Sequence, residues 1–386
     1  MSENNERVML DEQFEDLPKE LFERAYEEDK NLHDMNIEGK ALGFFADAVY
    51  RFRRNKASLT AFWIICVIIF MAIVGPNMNH YTYREQNSAR LNMPPRVQGL
   101  EKIGILDGHS VLTNRRKDGL SDTTKYPEGC VVRVFNERVY HGVEMVDVEV
   151  DAYKMANAED EYYWIGSDYL GRDLWTRLWR GCRVSLVIAV VAVLTNITIG
   201  IIYGAIAGYY GGAIDMVMMR FCEVIHALPQ VVVVTMFILL FGSGIKSLIL
   251  ALVVRGWVAT ARMIRAQFLR FRGREYVMAA RTLGVPDRAL IFRHILPNSI
   301  GPIITRAMMA IPSGIFTESF LAYIGLGLPA PEPSIGVLLS EGQKVLMQYP
   351  YQTFFPAAVI SILMIGFNLM GNGLRDAFDP TQRGQE

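Results

Sequence analysis

The chain has 386 residues, is 51% hydrophobic and carries a net charge of -1. That balance offers no basic excess for a nucleic-acid partner and fits either a large soluble protein or a mid-sized membrane protein. Distribution decides between them: apolar runs of bilayer length recur at about 57–76, 184–208, 216–241, 245–261, 300–325 and 354–373, and a span needs roughly 20 such residues. The expected fold is therefore an all-α polytopic membrane protein with six transmembrane helices.

Residues 1–40 hold 13 acidic and 5 basic residues, without the apolar core of a signal peptide, and read as an acidic, solvated cytoplasmic tail. Across 41–56, Leu42, Phe45, Ala48, Val49 and Phe52 recur at helical spacing. Arg51, Arg53, Arg54 and Lys56 gather at the end of this stretch. The pattern predicts an amphipathic helix lying on the membrane surface ahead of the first span at 57–76.

Residues 77–165 form the one candidate extra domain. CVVRVF and VYHGVEMVDVEV alternate apolar and polar positions, with NER between them, which predicts a small β-rich extracytoplasmic insertion between helices 1 and 2. Residues 166–380 follow as the helical core, closed by a short tail at 381–386. GSGIKS, 242–247, lacks the spacing of a phosphate loop and reads as a tight turn between spans three and four.

Orientation follows the Lys/Arg bias of short loops. The segment from Arg262 to Arg293 carries eight arginines against Glu275 and Asp287, which places it, with both termini, in the cytoplasm. Arg172, Arg177, Arg180 and Arg183 oppose that bias, but they follow a long segment, and long segments cross regardless of charge.

The four cysteines have no metal-ligand or redox spacing, the histidines form no ligand set, and no nucleophile signature occurs, so an enzyme is not expected. Polar residues inside the spans include Asn196, Glu223, His226, Arg255, Arg306, Glu318 and Asn368. Ionisable groups there cost about 2.5 to 3.5 kcal/mol on insertion scales, so they face protein or a water-filled cavity. Glu318, with Arg255 and Arg306 as partners, and Asn368 are the candidates for a translocation path. Gly200, Gly204 and Gly208 are spaced for close helix packing.

The loop 266–298 reads as a helix, a turn and a second helix. Tyr276, Ala279, Ala280 and Leu283 share one face of the first helix. Gly284 then stops it, and Pro286-Asp287 opens a second helix that Leu296-Pro297 ends. Small side chains rimmed by arginines suit insertion into a groove on a soluble partner, while a helix pair lying on anionic lipid is the alternative.

Ala279-Ala280, three residues, Gly284, eleven residues, then Leu296-Pro297 resembles the EAA signature of bacterial ABC importer permeases, whose loop docks on the ATP-hydrolysing subunit. Met278 stands where that signature has glutamate, and Glu275 matches the acidic position of peptide-type permeases. SDYLGRDLWTRLWRGCRVSL (167–186), YIGLGLPAPEPSIG (323–336) and NLMGNGLRDAFDP (368–380) resemble the C-type permease subunit of the oligopeptide/dipeptide/nickel group. Ile335, Ala357 and Asn372 stand where that group usually has tryptophan, glycine and aspartate.

The resemblance implies the type I ABC importer permease fold and coupling through Glu275, Ala279, Ala280, Gly284, Asp287, Arg293, Leu296 and Pro297. It implies a second, homologous B-type permease, two ATP-binding subunits and an extracytoplasmic peptide-binding protein as partners, with ATP and Mg on the ATPases and no cofactor in this chain. The chain would sit in the bacterial plasma membrane and import oligopeptides, with dipeptides, nickel chelates or signalling peptides as alternatives. A proton-coupled transporter using Glu318 and a membrane receptor are the competing classes.

Overall fold

The computed structural model describes residues 43–378. The tails expected at 1–40 and 381–386 lie outside the described residues. Helix α1, Phe44–Arg54, has the expected basic end, with Arg51, Arg53 and Arg54 in its last turn. Asn55 breaks it and caps α2, Lys56–Val74, by accepting the Ser58 N–H at 3.2 Å. At 19 residues α2 spans about 28 Å, close to the thickness of bilayer hydrocarbon.

The segment after α2 contains a three-stranded antiparallel sheet of order β1-β3-β2, with β1 at His109–Arg116, β2 at Val131–Tyr140 and β3 at Val143–Asp151. One face buries Val146, Val148 and Val150 completely against Leu112, Leu120 and Tyr126. The expected break at NER is corrected: β2 runs through it, Asn136 taking φ of 54° as the register shifts. The reversal falls instead at His141-Gly142, both at positive φ, between paired Tyr140 and Val143. Two left-handed residues match the twist of a two-residue hairpin.

The core comprises α3 (Leu174–Tyr210), α4 (Gly212–Ala227), α5 (Gln230–Phe241), α6 (Ile245–Phe271), α7 (Glu275–Thr282), α8 (Ile300–Leu321), α9 (Ile335–Gln343) and α10 (Tyr351–Phe378). Among the described residues five helices are each long and apolar enough to cross a membrane, and the number is six if one bent pair counts as a single span. That pair covers the stretch expected as one span at 216–241. It is α4 and α5, bent by 80° where Leu228-Pro229 interrupts the ladder. Two other expected boundaries move: α3 starts ten residues before 184, and α6 continues ten residues beyond 261. GSGIKS does form the turn into α6, with Gly242 at φ 79°.

The glycine stripe of α3 lies against α6. A Cβ on Gly200 would fall 2.6 Å from the Thr260 side chain, and one on Gly208 would fall 2.7 Å from the Arg265 carbonyl. Those approaches are closer than any larger residue allows, so α3 and α6 meet backbone to backbone. At one end of this helix pair lie α7 and the chain from Asp287 onward. The ends of α2 and α10 also meet, Gly373 packing on Ser58 and Phe52.

Candidate coupling loop and membrane cavity

Helix α7 begins after Arg272 and Gly273, and Gly284 ends it at φ 80°, a left-handed position open to glycine. Asp287 then starts a helical stretch that continues to Leu326. The expected stop at Leu296-Pro297 is corrected. A π-helical turn over Leu290–Ile295 and a 3-10 turn over Pro297–Ser299 carry the chain through into α8. Proline lacks only the N–H that the altered turn leaves unused, so the helix is redirected without being ended.

The faces of α7 differ from the expected ones. Val277 and Ala280 are buried at 0% and 9% exposure, packed with Leu290, Ile291 and Ile295 on Phe268 and Ile264. Ala280 thus belongs to the internal core, and its small size serves that packing. Outside that core stand Tyr276 at 41%, Met278 at 50% and Leu283 at 84% exposure, with Ala279 exposed and, beyond α7, Phe292 at 56%. Glu275, Gly284, Asp287, Arg293 and Pro297 are exposed and Leu296 half-buried. Large apolar side chains are thus exposed along this loop, outside its own packed core.

This loop is fastened to α3 by groups the sequence pattern did not single out. Tyr209 donates to Asp287 at 2.5 Å, Tyr210 to the second carboxylate oxygen at 3.4 Å, and Arg281 lies 5.4 Å over the Tyr209 ring. Arg272 donates to the carbonyls of Gly208 and Tyr209 at 3.4 Å each, capping the end of α3. Asp215 of α4 forms a two-bond pair with Arg265 of α6. Neighbouring tyrosines before a Gly-Gly break were the available signal.

A cavity of 480 Å³ opens among α3, the α4–α5 bend, α6 and α8. Asn196, His226, Gln230, Arg255, Arg306, Ser313 and Thr317 supply its polar groups, and among the described residues no carboxylate lines it. Arg255 donates to the His226 carbonyl at 2.9 Å and to Gln230 at 3.4 Å, so it also satisfies the carbonyl end of α4 at the bend. Two of the path candidates, Arg255 and Arg306, are therefore brought together.

Glu318 and Asn368 are not among the residues lining that cavity. The expected pairing of Glu318 with Arg255 and Arg306 is corrected: Glu318, at 1% exposure, accepts from Ser185 at 2.9 Å. Ser185 in turn accepts the Ile335 N–H at 3.2 Å, so the carboxylate joins α3 to α8 and α9. Asn368 is exposed on α10.

The arginines that opposed the orientation bias are occupied. Arg172 and Arg177 are each 1% exposed and share Asp168; Arg177 Nη1 also meets Glu341 at 2.8 Å and Arg172 Nη2 meets it at 3.3 Å. Burial would lower the Arg172 guanidinium, yet the Asp168 and Glu341 charges raise it. Arg180 pairs with Glu332 at 3.3 Å, and Arg183 caps the Ala72 and Ile73 carbonyls at 2.8 Å. Burial works against the Glu332 carboxylate, but the Tyr83 hydroxyl and Arg180 hold it below its usual range. Asp168 and Arg172 stand close together in the chain, but their link to Glu341 has no local signal.

Comparison with known proteins places these features. The family model of the binding-protein-dependent transport system inner membrane component matches residues 200–384, and that of the N-terminal transmembrane domain of oligopeptide transport permease C matches 43–95. The chain is 34% identical to the oligopeptide transport system permease protein OppC of Bacillus subtilis, over 96% of this chain and 99% of that one. It is 33% identical to the dipeptide permease DppC of the same organism, over 96% of each. With the Lactococcus lactis DppC it shares 36% over 88% of this chain and 91% of that one. Among solved structures, the inward-facing MetNI methionine ABC transporter matches 52% of this chain and 96% of its own, at 16% identity and a TM-score of 0.45.

Proposed function

We propose a function from one premise: this chain belongs to the binding-protein-dependent transport permeases, in the branch of the oligopeptide and dipeptide permease C proteins. It is a multi-pass membrane protein and a transport component. Our reading is that it forms half of the path of an ATP-driven oligopeptide importer, beside a homologous B-type permease. Two ATPase subunits and an extracytoplasmic peptide-binding protein complete the machine, with ATP and Mg on the ATPases. The bent pair α4–α5 counts as one span, giving six. The basic loop and both termini face the cytoplasm of a bacterial cell, and the sheet at 109–151 faces outward.

The observation that carries this reading is the set of exposed apolar side chains Tyr276, Met278, Ala279, Leu283 and Phe292 on the loop whose Asp287 bonds Tyr209. Closure of the ATPase pair displaces the docked loop, the bond passes that displacement to α3, and the glycine-packed α3–α6 pair moves as one body. The cavity then changes the side on which it opens. Met278, where the signature has glutamate, makes docking apolar at that position.

The complete transporter in proteoliposomes tests this. Leu283→Asp should leave insertion and assembly with the B-type permease intact and abolish ATP-driven uptake of a labelled hexapeptide. Uptake at the wild-type rate rejects the docking assignment. ATP-independent uptake driven by a proton gradient would replace the reading with proton coupling, against which the position of Glu318 away from the cavity stands.

A further inference from the structure

A second cavity, of 530 Å³, runs between the first and last spans. Ala57, Ala61 and Gly366 form its floor, and Ile64, Ile362, Ile365 and Leu369 its walls. Gly366 sets the depth, since a Cβ there would fall 3.1 Å from the Ile65 side chain. The one hydroxyl in the groove, Thr60, already donates to the Lys56 carbonyl at 2.8 Å. The groove therefore offers aliphatic contact and asks for no hydrogen bond.

Its mouth is different. Lys56 lines the end where α2 begins, and Arg53 stands three positions earlier, across the Asn55 cap; both are exposed. Among the described residues neither makes an ion pair. The positive end of the α2 dipole adds to the same field. A span's first turn lies at the boundary of hydrocarbon and headgroups, so the cationic mouth sits at phosphate depth and the groove runs down into the acyl region.

We propose that this groove is a binding site for an anionic phospholipid, one acyl chain lying between α2 and α10 and the phosphate held by Lys56 and Arg53. A zwitterionic lipid fills the groove equally well but gains nothing from two adjacent cations. The site therefore selects on headgroup charge. It is independent of the cargo and of the coupling loop. The lipid braces the first span against the last, the two helices that close the described chain.

The test uses the assembled transporter, with dioleoylphosphatidylglycerol and dioleoylphosphatidylcholine as probes and native mass spectrometry as the readout. Wild type should retain the glycerol lipid over the choline lipid. Lys56→Gln or Arg53→Gln should each weaken that preference about fivefold, and both together about thirtyfold. Thr60→Trp, an exposed change that fills the groove and leaves both cations, should displace the bound lipid. Equal retention of the two lipids by wild type overturns the proposal. Unchanged retention in Thr60→Trp also overturns it, because the headgroup would then be held without the groove. Absence of any retained lipid in the assembled complex, with the groove covered by a neighbouring helix, overturns it as well.

Discussion

Arg177 Nη1 meets Glu341 Oε2 at 2.8 Å, joining the first turn of α3 to α9 across 164 positions of sequence. With Asp168 and Arg172 this makes a four-residue ionic cluster in which three members are essentially sealed from solvent and Glu341 forms the rim. Two guanidinium groups meet two carboxylates, so the cluster is neutral as a whole. Removing one member unbalances the rest. Arg177→Ala should destabilise the fold by about 3 to 5 kcal/mol, because it leaves buried Asp168 with half its compensation. Glu341→Gln should cost less, since water reaches that carboxylate. Thermal unfolding of the purified variants in one detergent checks both, and equal losses would mean that Glu341 is as dry as Asp168.

Ala279 and Ala280 are adjacent but point to different surroundings, one exposed and one packed on Leu290, Ile291 and Ile295. Ala280→Leu overfills that core and should lower stability by about 1 to 3 kcal/mol. Ala279→Leu should leave stability within about 0.5 kcal/mol and reduce the ATPase stimulation that accompanies transport. Melting curves and ATPase rates of the same reconstituted samples separate the two. If Ala279→Leu transports normally while Ala280→Leu fails with an unchanged melting point, the assignment of faces on α7 is inverted.

Tyr209 and Asp287 join the loop to α3 through a 2.5 Å bond, the route along which the proposed transmission would run. Tyr209→Phe keeps the ring under Arg281 and removes only the hydroxyl. It should cost about 1 kcal/mol of stability, and it should lower peptide uptake per ATP hydrolysed while the ATPase still turns over. Uptake and hydrolysis measured together give that ratio. An unchanged ratio would place transmission in the Ala280 core instead.

Long apolar runs made the spans legible, because a bilayer demands length and hydrophobicity that any window along the chain registers. Their boundaries were less legible where charge was involved. Arg177, Arg180 and Arg183 read as an aqueous margin before span two, yet α3 includes them, since Asp168, Glu341, Glu332 and two carbonyls neutralise them from distant positions. Pairing over 164 residues leaves no local trace. The coupling loop was visible from Gly284 and Pro286-Asp287, whose effects are local. The burial of Ala280 depended on α7 packing across Phe268, which spacing alone assigns to either face. Glu318 was visible as an intramembrane acid, but only geometry separates a group tying α3 to α9 from one lining a cavity.

Asp147 gives the sheet an acid-sensitive point outside the spans. The backbone N–H of Asn114 donates to it at 2.9 Å, the Asn136 amide at 3.1 Å and Arg138 at 2.8 Å. These favour the charged form and hold the carboxyl below its ordinary value of 3.8, against the opposing effect of burial. A depressed folded value contributes stability that is present above 3.8 and lost as pH falls through the lower, folded value. Acid titration should therefore loosen the β1–β3–β2 pairing below pH about 4, followed by amide exchange of Asn114 and Asn136. Asp147→Asn should flatten that dependence, and an unaltered acid transition would assign it to other carboxylates.

Arg255 and Arg306 both line the 480 Å³ cavity, but only Arg255 has a structural role at the bend. Its guanidinium satisfies the His226 carbonyl where Pro229 leaves the α4 end without a continuing helix. Arg255→Ala removes that bond and should lower stability by about 0.5 to 1.5 kcal/mol along with uptake. Among the described residues Arg306 holds no such bond and no ion pair, and in a wall without carboxylates it suits the negative terminus of a passing peptide. Arg306→Gln should leave the melting point unchanged and lower uptake of a hexapeptide with a free carboxylate about tenfold, while uptake of the C-terminally amidated peptide changes little. The ratio of the two uptake rates is the readout, because a merely structural change would lower both together. Equal losses for both peptides would remove Arg306 from the path.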